Sequence, residues 1–209
     1  MLNVGLTGGI ACGKSTVVDM FVRRGAYSID FDVLAHNVQK PGRTVWEKVV
    51  GYFGEGILLP DKKIDRTKLA AIVFSEPEKL AALNQIVHPY VFLEWNDYLE
   101  KIARREKNAI IIASVPLLFE TGRQTLFDVT VVVSTSREIQ LNRLMARNNL
   151  GRQEAQKRID SQMPIEQKAA LADMVIDNSC SVEETEKCVA VIWRNLLCRQ
   201  KNKKMNASC

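Results

Sequence analysis

The segment Gly8-Gly9-Ile10-Ala11-Cys12-Gly13-Lys14-Ser15 has the spacing G-x-x-x-x-G-K-S and directly follows a short apolar run, Leu2-Asn3-Val4-Gly5-Leu6-Thr7. That order predicts a strand, a phosphate-binding loop and a helix, the context in which the motif has chemical meaning. Glycine lets the backbone curl until successive N–H groups face one hollow. The helix that follows adds the positive end of its dipole, which favours a multiply charged anion. Lys14 then reaches the outer phosphates, and Ser15 offers its hydroxyl to Mg²⁺. The competing reading is a Gly-rich strand–helix turn with no ligand. The complete motif in its proper context favours a nucleoside triphosphate site built from Gly8, Gly9, Ile10, Ala11, Cys12, Gly13, Lys14, Ser15 and Thr16.

The rest of the chain predicts an α/β fold around that loop. Apolar, β-branched runs recur at residues 26–30, 109–113, 129–133 and 174–176. Continuous rather than alternating apolarity suits strands buried on both faces, and helical patterns separate them, so a parallel sheet flanked by helices is expected. Residues 41–107 form an unusually long crossover, read as a helical insertion at the sheet's carboxyl edge, where such sheets bind ligands. Within it, Ser75 and Glu78 have capping-box spacing, and His88-Pro89 is placed at a helix start. Ser181 and Glu184 repeat that spacing ahead of a last helix. The core is then expected at 1–40, 108–142 and 173–198, with a lid at 143–172 and a basic tail at 199–209.

Charge and cysteine content narrow the class. The net charge of +5 is carried partly by the tail Arg199-Gln200-Lys201-Asn202-Lys203-Lys204, expected to be solvated and frayed. Other arginines cluster at 143–158, where phosphate chemistry uses them, so no nucleic-acid partner is expected. No apolar run long enough to span a membrane occurs, and with the motif so near Met1 no leader peptide is expected. Five cysteines without a C-x-x-C pair read as reduced thiols in a cytoplasmic protein.

Two constellations distinguish an enzyme from a binder. Asp30 and Asp32 leave the second strand two residues apart, and on an extended chain both point to one side. Phosphoryl transfer needs a group that accepts the acceptor hydroxyl's proton and holds it in line, and one of these carboxylates suits that task. Alternatively, Asp32 caps a helix starting near Val33. Arg143, Arg147, Arg152 and Arg158 flank the helix-breaking Asn148-Asn149-Leu150-Gly151, the layout of a closing lid that shields a triphosphate from water. A solvated basic helix pair would look the same. The segment Val115-Pro116-Leu117-Leu118-Phe119-Glu120 follows the third strand and reads either as crevice wall or as core with an exposed acid.

Leu6-Thr7-Gly8-Gly9-Ile10 with Gly13-Lys14-Ser15-Thr16, Ile29-Asp30-x-Asp32, Ile64-Asp65-Arg66, His88-Pro89, Pro116-Leu117-Leu118-Phe119-Glu120, Arg152, Arg158, Gln162, Ala172-Asp173 and Ile176-Asp177-Asn178 together resemble the dephospho-CoA kinases, from Leu2 to about Trp193. The resemblance implies ATP-dependent phosphorylation of the ribose 3′-hydroxyl of dephospho-CoA, giving coenzyme A and ADP. It makes Asp32 the general base, Lys14 the phosphate clamp and Ser15 the Mg²⁺ ligand. It sets Arg143 and Arg147 against the transferring phosphate, Asp177 and Asn178 near adenine, and Asp30, His88, Leu117 and Glu120 on the acceptor side. Two positions depart from the pattern. Ser114 stands where many members carry an acid, so Mg²⁺ must rely on Ser15, water and Asp30 or Asp32. Cys12 stands where a small residue such as serine is common, and at a helix N-terminus an acidified, reactive thiol is expected. A nucleoside or nucleotide kinase of the same fold is the nearest alternative. A guanine-nucleotide switch would need N-K-x-D, which is missing, and a nonenzymatic scaffold would not retain Lys14, Ser15 and Asp32 together.

Overall fold

A computed structural model describes residues 1–206 and divides into two compact units, Met1–Asp30 with Glu106–Cys209, and Phe31–Arg105. The first unit holds a five-stranded, wholly parallel sheet. Its strands are β1 (Leu2–Gly8), β2 (Tyr27–Asp30), β3 (Ile110–Ser114), β4 (Val129–Ser134) and β5 (Met174–Asp177), ordered β2-β3-β1-β4-β5. Register pairs Leu6 and Asp30 with Ser114, so the carboxyl ends of three neighbouring strands converge at one residue. β1, β3 and β4 lie at the middle of the sheet, and Val4, Leu6, Ile111, Ile112, Val131 and Val132 are inaccessible to water. That burial explains why their sequences run apolar without alternation.

Helix α1 (Lys14–Val22) sets Val17, Met20 and Phe21 against the sheet, and α9 (Val182–Asn206) sets Val189, Ile192 and Leu196 into the same layer. Phe21 and Trp193 meet with ring centroids 6.3 Å apart. Ser181 and Glu184 form the expected reciprocal cap of α9, each backbone N–H donating to the other's side chain. The basic end is not frayed: α9 stays helical to Asn206, and Lys203 pairs with Asp128 at 2.6 Å. Asp128 also accepts from the Asn3 amide, which joins the end of α9 to the start of β1. Cys209 lies outside the described residues.

The second unit is helical: α2 (Phe31–Val38), α3 (Thr44–Phe53), α4 (Arg66–Ser75) and α5 (Pro77–Arg105). Val45, Val49, Leu69, Val73, Val87, Val91 and Trp95 form its interior, with Phe31 and Trp95 in ring contact. Two expectations fail here. Ser75 does not begin a helix; it ends α4, and its hydroxyl donates back to the carbonyls of Ala71 and Ile72. The reason is that Ser and Thr hydroxyls bond backward as readily as they cap. His88-Pro89 does not mark a helix start either, because α5 runs through it. Pro89 occupies an exposed position, where the missing donor costs least.

The edge strand β5 is aligned by Asp173, whose carboxylate accepts from the Thr130 amide at 2.7 Å and hydroxyl at 2.8 Å. Burial would raise the pKa of this carboxyl, but the Thr130 donors and Arg199 outweigh it and hold the group below the ordinary aspartate value. Its stabilisation is therefore complete above the unfolded value and lost as pH falls through the lower folded one. Asp173→Asn is expected to cost about 1 kcal/mol near neutrality, after allowance for solvent screening. Thermal melts should show the gap from wild type shrinking below about pH 4; a gap that widens on acidification would refute this role for Asp173.

Candidate active site

The phosphate loop joins β1 to α1 and is shaped from behind by side chains. Ala11 takes φ 61 and Gly13 φ 85. At Gly13 a Cβ would lie 2.1 Å from the Asn178 amide nitrogen, so only glycine fits. Asn178 Nδ2 donates to the Cys12 carbonyl at 2.7 Å, while Asn178 Oδ1 accepts from Thr185 at 2.9 Å. On the other flank Gln140 Nε2 donates to the Ile10 carbonyl at 3.0 Å, and the Ile10 amide donates to Gln162 Oε1 at 2.9 Å. The first-turn amides of α1, at Lys14, Ser15 and Thr16, are the groups an α-helix leaves without intrahelical acceptors. The result is a rigid anion cradle.

Two strand ends and the first residue of α1 supply its polar floor. Lys14 Nζ donates to Ser114 Oγ, and Ser114 Oγ donates to Asp30 Oδ2 at 3.0 Å. Lys14 and Asp30 are themselves 4.0 Å apart. Ser114 thus relays between the clamp lysine and an acid from the next strand. Asp30 and Asp32 do not share an extended segment as expected. β2 ends at Asp30 and α2 begins at Phe31, which places Asp32 in the first helical turn of the second unit. The extended-chain argument for a shared side therefore fails, because a helix turns successive residues by about 100°. Asp32 is in electrostatic contact with Arg66: burial lowers the pKa of that guanidinium, and Asp32 opposes the effect.

The lid arginines divide. α6 (Arg137–Asn148) and α7 (Arg152–Asp160) meet at Asn149, which takes φ 51. Leu141, Leu144, Ala155 and Ile159 seal the pair, with Ile10 and Ala11 of the phosphate loop packed against them. Arg143 Nη2 donates to the Asn178 carbonyl at 3.0 Å. Its Nη1 is buried without a partner among the described residues, and it would lie 3.8 Å from a Cβ at Gly13. A buried guanidinium nitrogen beside the loop is suited to a phosphate oxygen. Arg147 bonds its neighbour Asn148, while Arg152 and Arg158 form exposed pairs with Glu138 and Glu154.

The remaining candidates fall as follows. Asp177 ends β5 and accepts from the Ser179 amide. Asn178, expected beside adenine, spends its side chain on the loop. His88 is half-buried inside α5. After β3, Val115, Leu118 and Phe119 are core, whereas Leu117 is 44% exposed. Glu120 is not a bare surface acid: its Oε1 lies 2.7 Å from Nζ of Lys168, a wholly buried lysine. Lys168 and Gln140 escape sequence reasoning because each lies in a stretch whose pattern suits a solvated or merely structural residue. Ser15, exposed at the start of α1, provides an oxygen ligand of the kind Mg²⁺ takes beside substrate phosphates. Among the described residues no cluster of three or more His, Cys, Asp or Glu could hold a metal.

A family model for dephospho-CoA kinase matches residues 2–184. The chain belongs to the dephospho-CoA kinase family. It is 42% identical over 208 residues to a dephospho-CoA kinase of Syntrophus aciditrophicus, covering all of this chain and 88% of that one. A Streptomyces avermitilis dephospho-CoA kinase is 44% identical over 199 residues, covering 95% and 96%. The solved dephospho-CoA kinase of Campylobacter jejuni superposes with a TM-score of 0.69 at 30% identity, over 93% of this chain and 96% of that one. The activity is thus ATP-dependent phosphorylation of dephospho-CoA, and the relatives do not favour a nucleoside or nucleotide kinase.

Cys12 corrects the expectation of a reactive thiol. It is 1% exposed, and burial pushes its pKa up, outweighing the bonds from Gly9 and Gln140 and the charge of Lys168. Iodoacetamide applied to folded protein near neutrality should modify the exposed Cys198 and spare Cys12. Peptide mapping reads the order directly, and alkylation of Cys12 first would contradict it.

Proposed function

We propose that the phosphate loop and Asp32 divide the transfer of a phosphoryl group from ATP to the ribose 3′-hydroxyl of dephospho-CoA. Lys14, with the amides of α1, holds the triphosphate, and Arg143 Nη1 takes an oxygen of the group in flight. Asp32 accepts the proton of the attacking hydroxyl. Asp30 is the rival base, yet its carboxylate already takes the Ser114 hydroxyl and lies at 4.0 Å from Lys14. The contacts of Asp30 with Ser114 and Lys14 are the observation that carries the assignment: Asp30 positions the clamp, and Asp32, in electrostatic contact with Arg66, is the acid assigned to the chemistry.

Mg²⁺ is bound by Ser15 in this reading and, with the phosphates, supplies charge neutralisation when present. Asp177 is assigned to the adenine side, and His88, Leu117 and Glu120 to the acceptor. The lid at 143–172 excludes water by moving about Asn149. No helix among the described residues is long and apolar enough to cross a membrane. Free thiols at the surface, Cys180, Cys188 and Cys198, accord with a cytoplasmic enzyme acting on small molecules.

Asp32→Asn is expected to lower kcat by about 10² or more while ADP affinity stays within about twofold. Asp30→Asn is expected to act chiefly on the KM for ATP. Steady-state kinetics with calorimetric ADP titration measures both. The reverse pattern, with kcat lost on changing Asp30 and kept on changing Asp32, would move the base to Asp30.

A further inference from the structure

Lys168 sits on α8 (Ile165–Leu171) and is wholly buried, a rare state for lysine unless it is paired. Its ammonium has two partners on one short loop: the Pro116 carbonyl at 3.1 Å and Glu120 Oε1 at 2.7 Å. One cation therefore clips together both ends of the turn at 116–120. The same atoms reach further. Thr7, at the end of β1, donates its hydroxyl to the Pro116 carbonyl at 3.1 Å. The Met163 amide, in the link between α7 and α8, donates to Glu120 Oε1 at 3.2 Å. Between the clipped ends Leu118 and Phe119 turn inward while Leu117 turns out. The ammonium lies beneath the loop, so it shapes the surface without forming part of it.

We propose that Lys168 is a positioning residue for the acceptor substrate: it fixes the 116–120 loop in the form that presents Leu117 and Glu120, and it ties that loop to the base of the lid. The proposal rests on the reading of this loop as acceptor-binding. Lys168 acts only through Pro116 and Glu120. Its removal frees the loop and leaves Glu120, whose side chain is partly covered, an acid without its cation, while the phosphate loop keeps Asn178, Gln140 and Gln162.

The test uses Lys168→Met, Glu120→Gln and the double variant in the full chain, with the KM for dephospho-CoA, the KM for ATP, ADP affinity and the melting temperature as readouts. Lys168→Met is expected to raise the KM for dephospho-CoA by about tenfold or more with ADP affinity within about twofold. A folded Lys168→Met protein that melts lower yet keeps its dephospho-CoA KM would overturn the proposal, as would a parallel rise in both KM values. If the unpaired acid prevents folding, the double variant is compared with Glu120→Gln alone. A further rise of several-fold in the dephospho-CoA KM supports the clip, and equal values overturn it. Failure of the underlying reading is distinguishable, because Leu117→Ala, which leaves the Lys168 contacts to Pro116 and Glu120 in place, would then keep the dephospho-CoA KM of wild type.

Discussion

The hydrogen bond from Asn178 to the Cys12 carbonyl governs the site. A phosphate cradle works only if its amides converge before the ligand arrives, because ordering them at the moment of binding would consume the binding energy. Cys12 lies in a loop whose φ angles at Ala11 and Gly13 few residues adopt, and that shape persists only where the surroundings over-determine it. Asn178 supplies the constraint from the end of β5, and Thr185 on α9 fixes the amide's orientation. Gln140 and Gln162 supply it from the lid side. The sheet order, which puts β4 beside β1 and β5 beside β4, is what places these side chains behind the loop.

From that constraint the electrostatics follow. A fixed loop fixes Lys14, and Ser114 with Asp30 gives the ammonium a partner that a triphosphate can replace. A hydroxyl between lysine and carboxylate holds less tightly than a direct ion pair, because the charges stay 4.0 Å apart and are partly solvated. The serine is therefore compatible with a clamp that lets go. Arg143 follows the same logic: one of its nitrogens is spent on Asn178, and the other is held in readiness.

Much of this is legible in the sequence, for identifiable reasons. The Gly-Lys-Ser motif has few physical realisations, and the apolar runs of β1, β3 and β4 match strands buried on both faces. The helix break at Asn149 is visible because asparagine tolerates left-handed backbone. The Ser75 cap misleads because a hydroxyl bonds forward or backward with similar ease. His88-Pro89 misleads because an exposed proline interrupts a helix less than a buried one. Asp30 and Asp32 look alike in sequence; only the abrupt change from strand to helix at Phe31 separates their roles. Lys168 and Gln140 are hidden, since their importance comes from partners 48 and 130 residues away in the chain.

The brace is best tested apart from the nucleotide base. Tripolyphosphate carries the phosphates without adenine, so its affinity reports on the cradle alone. Calorimetric titration of Asn178→Ala should show tripolyphosphate binding about tenfold weaker than to wild type, with the protein still folded. Unchanged affinity in that variant would mean that the loop holds its shape without the brace, and Asn178 would not be what governs the site.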